Sequence, residues 1–462
     1  MKSFIKYILI ISLACTLFAC KKNTFITDKA ASITLGADTL FFDTVFTSVG
    51  SITQYFTITN PNDQKLKLDA VRLMGGANSV FKINIDGVAA TQSDNIEIDA
   101  GDSLYVFVAV TIDPSAGNLP FIVQDSILVS YNGNEKYVQL QAYGQNAHFL
   151  RSKIIGTTTI WKNDLPYVIS GGVLIEEGTT LIVEKGCRIY MHADAPFIVD
   201  GTLVVNGTKT DSVIFRGDRL DEGYRDLPAS WPGIYFTATS RNNTIRYGII
   251  TNAYQGIIVN GPSVNASPKL NLDKCIIDNI YDTGIMAVSS NITAVNCLIS
   301  NCGLNVALTG GGVYNFTYCT IASYGNNYIE HKMPVTYINN FDVDENTYPL
   351  NAVFRNCILW GDGGSVENEV LSEKKGSGIY DVLLENVLYK SKDLASAIQL
   401  VNSIANQDPL FDSINTSRRY FDFHVGKKPS PALDAAIQVS ENGDLDGNTR
   451  STNPDIGCYE KQ

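Results

Sequence analysis

The chain has 462 residues, with 35 Lys or Arg against 47 Asp or Glu, a formal net charge of −12. That balance offers no basic footprint for a phosphate backbone and argues against nucleic acid as a partner. The 23 Tyr, 20 Phe and 37 Gly, with almost no helical periodicity, point to β structure with many turns, and the length leaves room for two or three full cores.

Residues 1–19 read as an export leader. Met1, Lys2 and Lys6 give it a positive start, Tyr7 to Ala14 form an apolar stretch too short to span a bilayer, and Ala19 places a small residue before Cys20. Leu17-Phe18-Ala19-Cys20 resembles the lipobox of bacterial lipoproteins, which implies that Cys20 becomes the acylated first residue of the mature chain. The alternative is an ordinary secretory leader with an incidental cysteine. More than one acyl chain on Cys20 implies stable attachment to a membrane. Residues 20–32 then form the anchor and a polar tether. Lys21-Lys22-Asn23 lacks the Asp that signals inner-membrane retention in some bacteria, so the expected location is the outer membrane, with its periplasmic or outer face left open.

From 33 to 150 the sequence runs in short alternating stretches separated by turn clusters: TLFFDTVF, ITQYFTITN, LKLDAVRL, FKINI, SLYVFVAVTI, SILVSY and KYVQLQAYG. About seven strands with turns such as NPND and NGN predict an antiparallel β-sandwich. The segment FTSVGSITQYFTITNPNDQKLKL resembles the immunoglobulin-like domains that bacterial surface proteins carry near their anchors, which implies a spacer.

From 151 to 462 an internal repeat takes over. Cys275, Cys297 and Cys319 recur at intervals of 22 residues, each opening a similar strand: Lys274-Cys275-Ile276-Ile277, Asn296-Cys297-Leu298-Ile299 and Tyr318-Cys319-Thr320-Ile321. Twenty-two residues make one coil of a parallel β-helix. The same strand continues outward through Tyr247-Gly248, Asn356-Cys357 and Asn386-Val387, and a second recurs as Gly233-Ile234, Gly256-Ile257, Gly284-Ile285 and Gly378-Ile379. Coils stacked about 4.8 Å apart place equivalent side chains in columns. Cys275, Cys297, Cys319 and Cys357 therefore read as buried core filling, with disulfides, which export permits, as the alternative. Asn252, Asn279 and Asn301 suggest a turn ladder.

The run GTLVVNGTKTDSVIFRG, then WPGIYF, then TIRYGIITNAYQGIIV resembles the pectate-lyase-type β-helix proteins among Bacteroidota lipoproteins. The closing segments Asp408-Pro409-Leu410-Phe411, Ser430-Pro431-Ala432-Leu433-Asp434, Asp444-Leu445-Asp446-Gly447-Asn448-Thr449-Arg450 and Pro454-Asp455-Ile456-Gly457-Cys458-Tyr459-Glu460 resemble the choice-of-anchor Q type of β-helix domain. The resemblance implies a right-handed parallel β-helix with a C-terminal cap and assigns no activity, because the fold hosts lyases, hydrolases, epimerases and adhesins. The predicted fold class is all-β, an immunoglobulin-like sandwich followed by that helix.

No catalytic set is assigned, and no cofactor beyond a weak calcium candidate. Asp444, Asp446 and Asn448 place hard oxygens close together, but not at EF-hand spacing; a cap turn is the alternative. The compact coils step from the first strand to the second in eight or nine residues, whereas Val213 to Gly233 takes 20 and Cys357 to Gly378 takes 21. Long loops therefore leave one corner on either side of compact coils. The expected groove has walls from 216–231, which contain Arg225, Asp226 and Trp231, and from 325–333 with 361–377, which contain His331. Its floor carries Tyr254, Asp278, Tyr281, Asp282 and Asn301. Trp231 is either a stacking platform or a buried plug. Aromatic rings beside carboxylates and amides suit a glycan, so the first expectation is a non-catalytic envelope lipoprotein binding glycan or another surface component. A polysaccharide lyase or hydrolase and a structural stalk or assembly partner are the alternatives.

Overall fold

The computed structural model describes residues 24–46, 53–111, 121–221, 223–441 and 443–462. The leader, the proposed acylation site Cys20 and the first tether residues lie outside them. Two compact units divide between Asn146 and Ala147.

The first unit is an immunoglobulin-like sandwich of two five-stranded sheets. One holds Thr34–Leu35, Gln54–Thr59, Ser103–Val110, Phe81–Ile85 and Val88–Ala89; the other holds Thr39–Phe46, Asn134–Gln145, Phe121–Tyr131, Leu66–Leu73 and Gln92–Ile98. Successive side chains of a strand point to opposite faces. In Ser103–Val110 this buries Leu104, Val106, Val108 and Val110 and leaves Tyr105 and Phe107 outside. Asn132-Gly133 joins two strands with φ of 44° and 72°, the left-handed geometry of a two-residue hairpin turn. Two features differ from a simple antiparallel expectation. Thr39–Phe46 runs parallel to Asn134–Gln145, because it enters at the sheet edge beside the last strand. Gln92–Ile98 is an edge strand whose largely polar, exposed residues carry no hydrophobic alternation.

The second unit is a right-handed parallel β-helix whose strands form one 26-stranded sheet. Three faces can be followed through the compact coils. Asn243–Arg246, Leu270–Asp273 and residues 291–295 stack on one face; Gly248–Thr251, Ile276–Asp278, Leu298–Ser300 and Thr320–Tyr324 stack on the second. Ile234–Phe236, Ile257–Asn260 and residues 285–288 stack on the third. Inward positions align into columns such as Ile250, Ile277, Ile299, Ile321 and Leu359, all fully buried.

The cysteines form the expected column. Cys275, Cys297, Cys319 and Cys357 are free thiols in the core, and they do more than fill space. Cys275 Sγ donates to the Ile245 carbonyl at 3.1 Å, and Cys297 Sγ accepts from the Cys275 amide at 3.5 Å. Cys357 Sγ likewise accepts from the Cys319 amide at 3.4 Å. The column thus satisfies backbone groups at a tight corner, where an alkyl side chain would leave them unpaired. The residue before each column position has left-handed φ: Tyr247, Lys274, Asn296, Tyr318, Asn356 and Asn386 lie between 45° and 55°.

Burial raises the thiol pKa to about 11 at Cys187 and about 12 at Cys458, and well above the usual range at Cys275 and Cys319; at Cys297 burial is outweighed by hydrogen bonds from Cys275 and Cys319, and the pKa is lowered. All seven cysteines among the described residues are buried, which keeps a reagent from the sulfur, and a raised pKa makes a thiol a poorer nucleophile still. In the folded protein, Cys187, Cys275, Cys297, Cys302, Cys319, Cys357 and Cys458 should all resist a thiol reagent. All seven should be modified in guanidinium, with peptide mapping as the readout. Labelling of any of them under native conditions, or a disulfide-linked peptide, would contradict this arrangement.

Two expectations are corrected here. Gly378-Ile379 is not on the third face, where Ile257, Ile285, Val306, Thr336 and Val370 stack in succession. Ile379 is exposed, and the strand after it, Tyr380–Glu385, belongs to the first face. The second correction concerns the closing residues, which do not act as an end cap. They lie as a strap along the outer side of the second face. Outward residues there, Leu298, Ala322, Ile358, Trp360 and Leu388, are apolar and need cover. Phe411, Phe423, Val425, Ala432, Leu445 and Ile456 supply it, forming a second core. The left-handed corners are the docking points. Asn356 Nδ2 donates to the Ile437 carbonyl and its Oδ1 accepts from the Ile437 amide, at 2.8 and 3.0 Å. Asn386 donates to the Ala435 carbonyl at 2.9 Å.

Candidate functional site

The strap stops short of covering the whole second face, and its hairpin, Ser413–Asn415 with Tyr420–Asp422, becomes a wall of what stays open. Beside it lies a pocket of ≈ 390 Å³. Its floor is the outward side of the second face, Ile214, Ile249, Thr251 and Asp278, together with the corner residues Asn252, Asn279 and Asn301; Asp226, Asn326, Arg418 and Arg419 stand around it.

The asparagine corners have left-handed φ of 64°, 58° and 50°, a conformation Asn tolerates better than most residues. Their amides hold the loop above them. Asn252 Nδ2 donates to the Arg225 carbonyl at 2.6 Å, and Asn279 Nδ2 donates to the Asp226 carbonyl at 2.9 Å and to Asn252 Oδ1 at 2.8 Å. Asn301 Nδ2 and Ser300 Oγ donate to Asp278 Oδ1 at 3.1 and 2.7 Å. Burial raises the Asp278 pKa, and the bonds from Ser300 and Asn301 only partly oppose that shift.

Arg419 ties the walls together. It donates to the Asp226 carbonyl at 3.0 Å, lies 3.6 Å from the Asp226 carboxylate and sits 4.7 Å above the ring of Tyr328. One side chain thus joins the strap hairpin, the 216–231 loop and the 325–333 loop. Arg225 is half-exposed and pairs with Asp226 at 3.5 Å.

Tyr281 and Asp282 line a second pocket of ≈ 480 Å³ with Tyr328 and Met333. Tyr254 stacks on Tyr281, centroids 5.7 Å apart and planes 25° apart. Both rings face solvent, at 48% and 51% exposure, so adjacent coils present a tyrosine platform. Asp282 Oδ2 accepts from Gln255 Nε2 at 2.9 Å. The expected floor is therefore divided: Asp278 and Asn301 lie in one pocket, Tyr281 and Asp282 in the other, with the turn at Asn326 to Tyr328 between them.

Of the two roles weighed for Trp231 the buried plug is the one found, and two other expectations need correction. Trp231 is 1% exposed and donates Nε1–H to the Thr251 carbonyl at 2.9 Å; it is a core plug and presents no stacking face. Gly233, two residues on, has φ of 127°, and a Cβ there would lie 1.9 Å from the Gln255 carbonyl oxygen, so the Trp-x-Gly turn is closed tightly on the next coil. His331 is 3% exposed and pairs with the fully buried Glu369 at 2.8 Å. The Glu369 carboxylate also accepts the Val335 amide at 3.2 Å, so His331 holds two coils together beneath the wall. The proposed wall 361–377 is also shorter, because Val370–Glu373 is a third-face strand; Gly363, Gly364 and Ser365 are what reach a neighbouring pocket of ≈ 420 Å³.

The oxygens weighed for calcium are directed at protein donors. Asp444 is fully buried and accepts the Asn448 amide at 2.7 Å and the Glu460 amide at 2.9 Å, the pattern of a strap turn. Asp446 pairs with Lys209 and accepts from His424 Nε2 at 3.0 Å. Among the described residues, no group of three or more His, Cys, Asp or Glu is arranged to hold a metal ion.

His424 bridges Asp422 at 2.6 Å and Asp446 at 3.0 Å and stacks on Tyr459, centroids 3.8 Å apart. Burial pulls its pKa down, but the two carboxylates outweigh burial and raise it. At Asp446, burial is outweighed by Lys209 and His424, and the pKa is lowered. A raised histidine stabilises the fold fully below its unfolded value of about 6.5 and loses that contribution as pH rises through the folded value; a lowered aspartate contributes above about 3.9. The difference in Tm between the protein and its His424→Gln variant should thus be largest near pH 5–6 and shrink above neutrality. A difference that is flat from pH 5 to 9 would show that His424 acts by packing alone.

No family model matches the chain, and no curated protein does. Among solved structures, it resembles a family 123 glycoside hydrolase from Clostridium perfringens at 9% identity, over 29% of this chain and 31% of that one, with a TM-score of 0.19. A PapD-like domain of human CEP192 aligns at 10% identity over 28% of this chain and 92% of the domain, with a TM-score of 0.18. A Porphyromonas gingivalis protein of unknown function aligns at 8% identity over 27% of this chain and 59% of that one, with a TM-score of 0.19. Likenesses of this extent carry no functional argument.

Proposed function

We propose that this chain is a lipoprotein of the bacterial outer membrane, anchored through acylated Cys20, whose β-helix binds a glycan without transforming it. The sandwich serves as a spacer. The observation that supports this most is the exposed Tyr254–Tyr281 stack beside Asp282 and the amide-lined pocket of Asn252, Asn279 and Asn301. Sugar rings present apolar C–H faces to aromatic rings and hydroxyls to carboxylates and amides. The basic and apolar leader ending in Leu17-Phe18-Ala19-Cys20 supports the anchor. The resemblance of the closing segments to the choice-of-anchor Q type supports assignment to the pectate-lyase-like β-helix lipoproteins.

A glycan array probed with the whole chain tests the binding: retention of a defined set of structures is expected, and a blank array would remove the reading. Protease shaving of intact cells, followed by mass spectrometry of acylated Cys20, tests the location and the anchor. A second reading, a polysaccharide lyase or hydrolase, draws on Asp226 and Asp278 lining one pocket with Arg216, since the pKa of Asp278, raised by burial, suits proton donation. Release of reducing ends or of unsaturated uronate from a polysaccharide panel would favour it.

A further inference from the structure

We infer that the ≈ 390 Å³ pocket takes a sugar bearing a negatively charged substituent, held between Arg216 and Arg418. This rests on the glycan-binding reading above and specifies its ligand. Three arginines line the pocket, but only one has its charge matched: Arg419 lies 3.6 Å from the Asp226 carboxylate. Among the described residues, neither Arg216 nor Arg418 forms an ion pair with a carboxylate.

Arg216 is also held in place with donor capacity to spare. One of its terminal nitrogens donates to the Arg225 carbonyl, fixing the guanidinium under the loop. Its Nε is buried out of a ligand's reach, so the terminal nitrogens are the donors that Arg216 can offer to the pocket. The guanidinium fork matches the paired oxygens of a carboxylate or sulfate, and does so more strongly than it matches neutral hydroxyls.

The whole-chain charge makes this local pattern informative. With a formal net charge of −12, two unmatched arginines at one pocket are not a by-product of a basic composition. Two carboxyl groups at the pocket would oppose an anion: Asp226, already paired with Arg225 at 3.5 Å and Arg419 at 3.6 Å, and Asp278 on the floor. Burial raises the Asp278 pKa, which lessens the charge its carboxyl sets against the ligand.

Carboxylate and sulfate esters share this chemistry, and matched probes separate them. The experiment is calorimetric titration of the whole chain in detergent with a neutral oligosaccharide, its uronate counterpart and its sulfate ester. The charged forms should bind at least about tenfold more tightly than the neutral one, and the stronger of the two names the substituent. Arg418→Gln, at an exposed position, and Arg216→Gln should each weaken that binding about tenfold or more, the loss of one charge-assisted contact. The Arg216→Gln variant is checked for an unchanged thermal transition, and Arg418→Gln decides the matter if it unfolds. If the neutral sugar binds as tightly and both variants bind as the parent does, the inference falls while glycan binding stands. If no glycan binds at all, on array or in titration, the underlying reading falls and takes the inference with it.

Discussion

Arg450→Ala is expected to destabilise the β-helix unit by about 3–5 kcal/mol, read as a shift in the urea midpoint. Arg450 is buried and pairs with the equally buried Glu460 at 3.3 Å. It donates to Asn296 Oδ1 at 2.7 Å and to the Gly457 carbonyl at 2.9 Å, and sits 3.6 Å above the ring of Tyr318. It therefore latches the strap onto two left-handed corners of the cysteine ladder. Truncation leaves the Glu460 carboxylate buried without its cation, which is the costly half of breaking such a pair. Glu460 also accepts the Ser451 and Asp455 amides at 2.9 Å each, so repulsion would spread through the strap turn. Limited proteolysis should then cut first between 426 and 450. A variant with an unchanged midpoint and cleavage pattern would show that the strap is held by its apolar contacts alone.

Trp231→Ala should cost a similar amount, about 3–5 kcal/mol, for a different reason. The indole fills the core at the base of the 216–231 loop, and its removal opens a cavity and leaves the Thr251 carbonyl without its donor. The backbone carbonyl of Trp231 also accepts the Tyr254 amide at 2.7 Å, so the tyrosine platform is registered on this residue. Trp231→Phe separates the two effects: it keeps most of the packing and loses the hydrogen bond, for about 1 kcal/mol. If Trp231→Ala were tolerated within 1 kcal/mol, the indole would not be the plug described here.

Local periodicity was legible wherever it was strict. Two-residue alternation marked the sandwich strands, except Gln92–Ile98, whose edge position requires little apolar surface. The 22-residue spacing of Cys275, Cys297 and Cys319 exposed the coil because coils of equal length put equivalent residues in one column. Where coil length changes, the ladder slips: Gly378-Ile379 mimics the third-face pattern, but the sheet register selects Val370. The strap was hidden for another reason. Its partners are set by outward-facing residues far away in sequence, as Arg450 and Asn296 are, 154 positions apart. Consequently Asp278, Tyr281 and Asn301 could be placed near an open corner from sequence, whereas Arg418 and Arg419 could not. His331 carried an ambiguous signal, since a lone histidine in a loop reads the same whether it meets solvent or, as here, a buried glutamate.

The platform itself offers the most direct test of the functional account. Tyr254 and Tyr281 are both half-exposed, so Tyr254→Ala with Tyr281→Ala should leave the fold intact. Titrating a glycan retained on the array into the parent and the double variant should show affinity reduced at least about tenfold in the variant, at unchanged Tm. Equal affinity in the two proteins would contradict the claim that this groove is where the glycan binds.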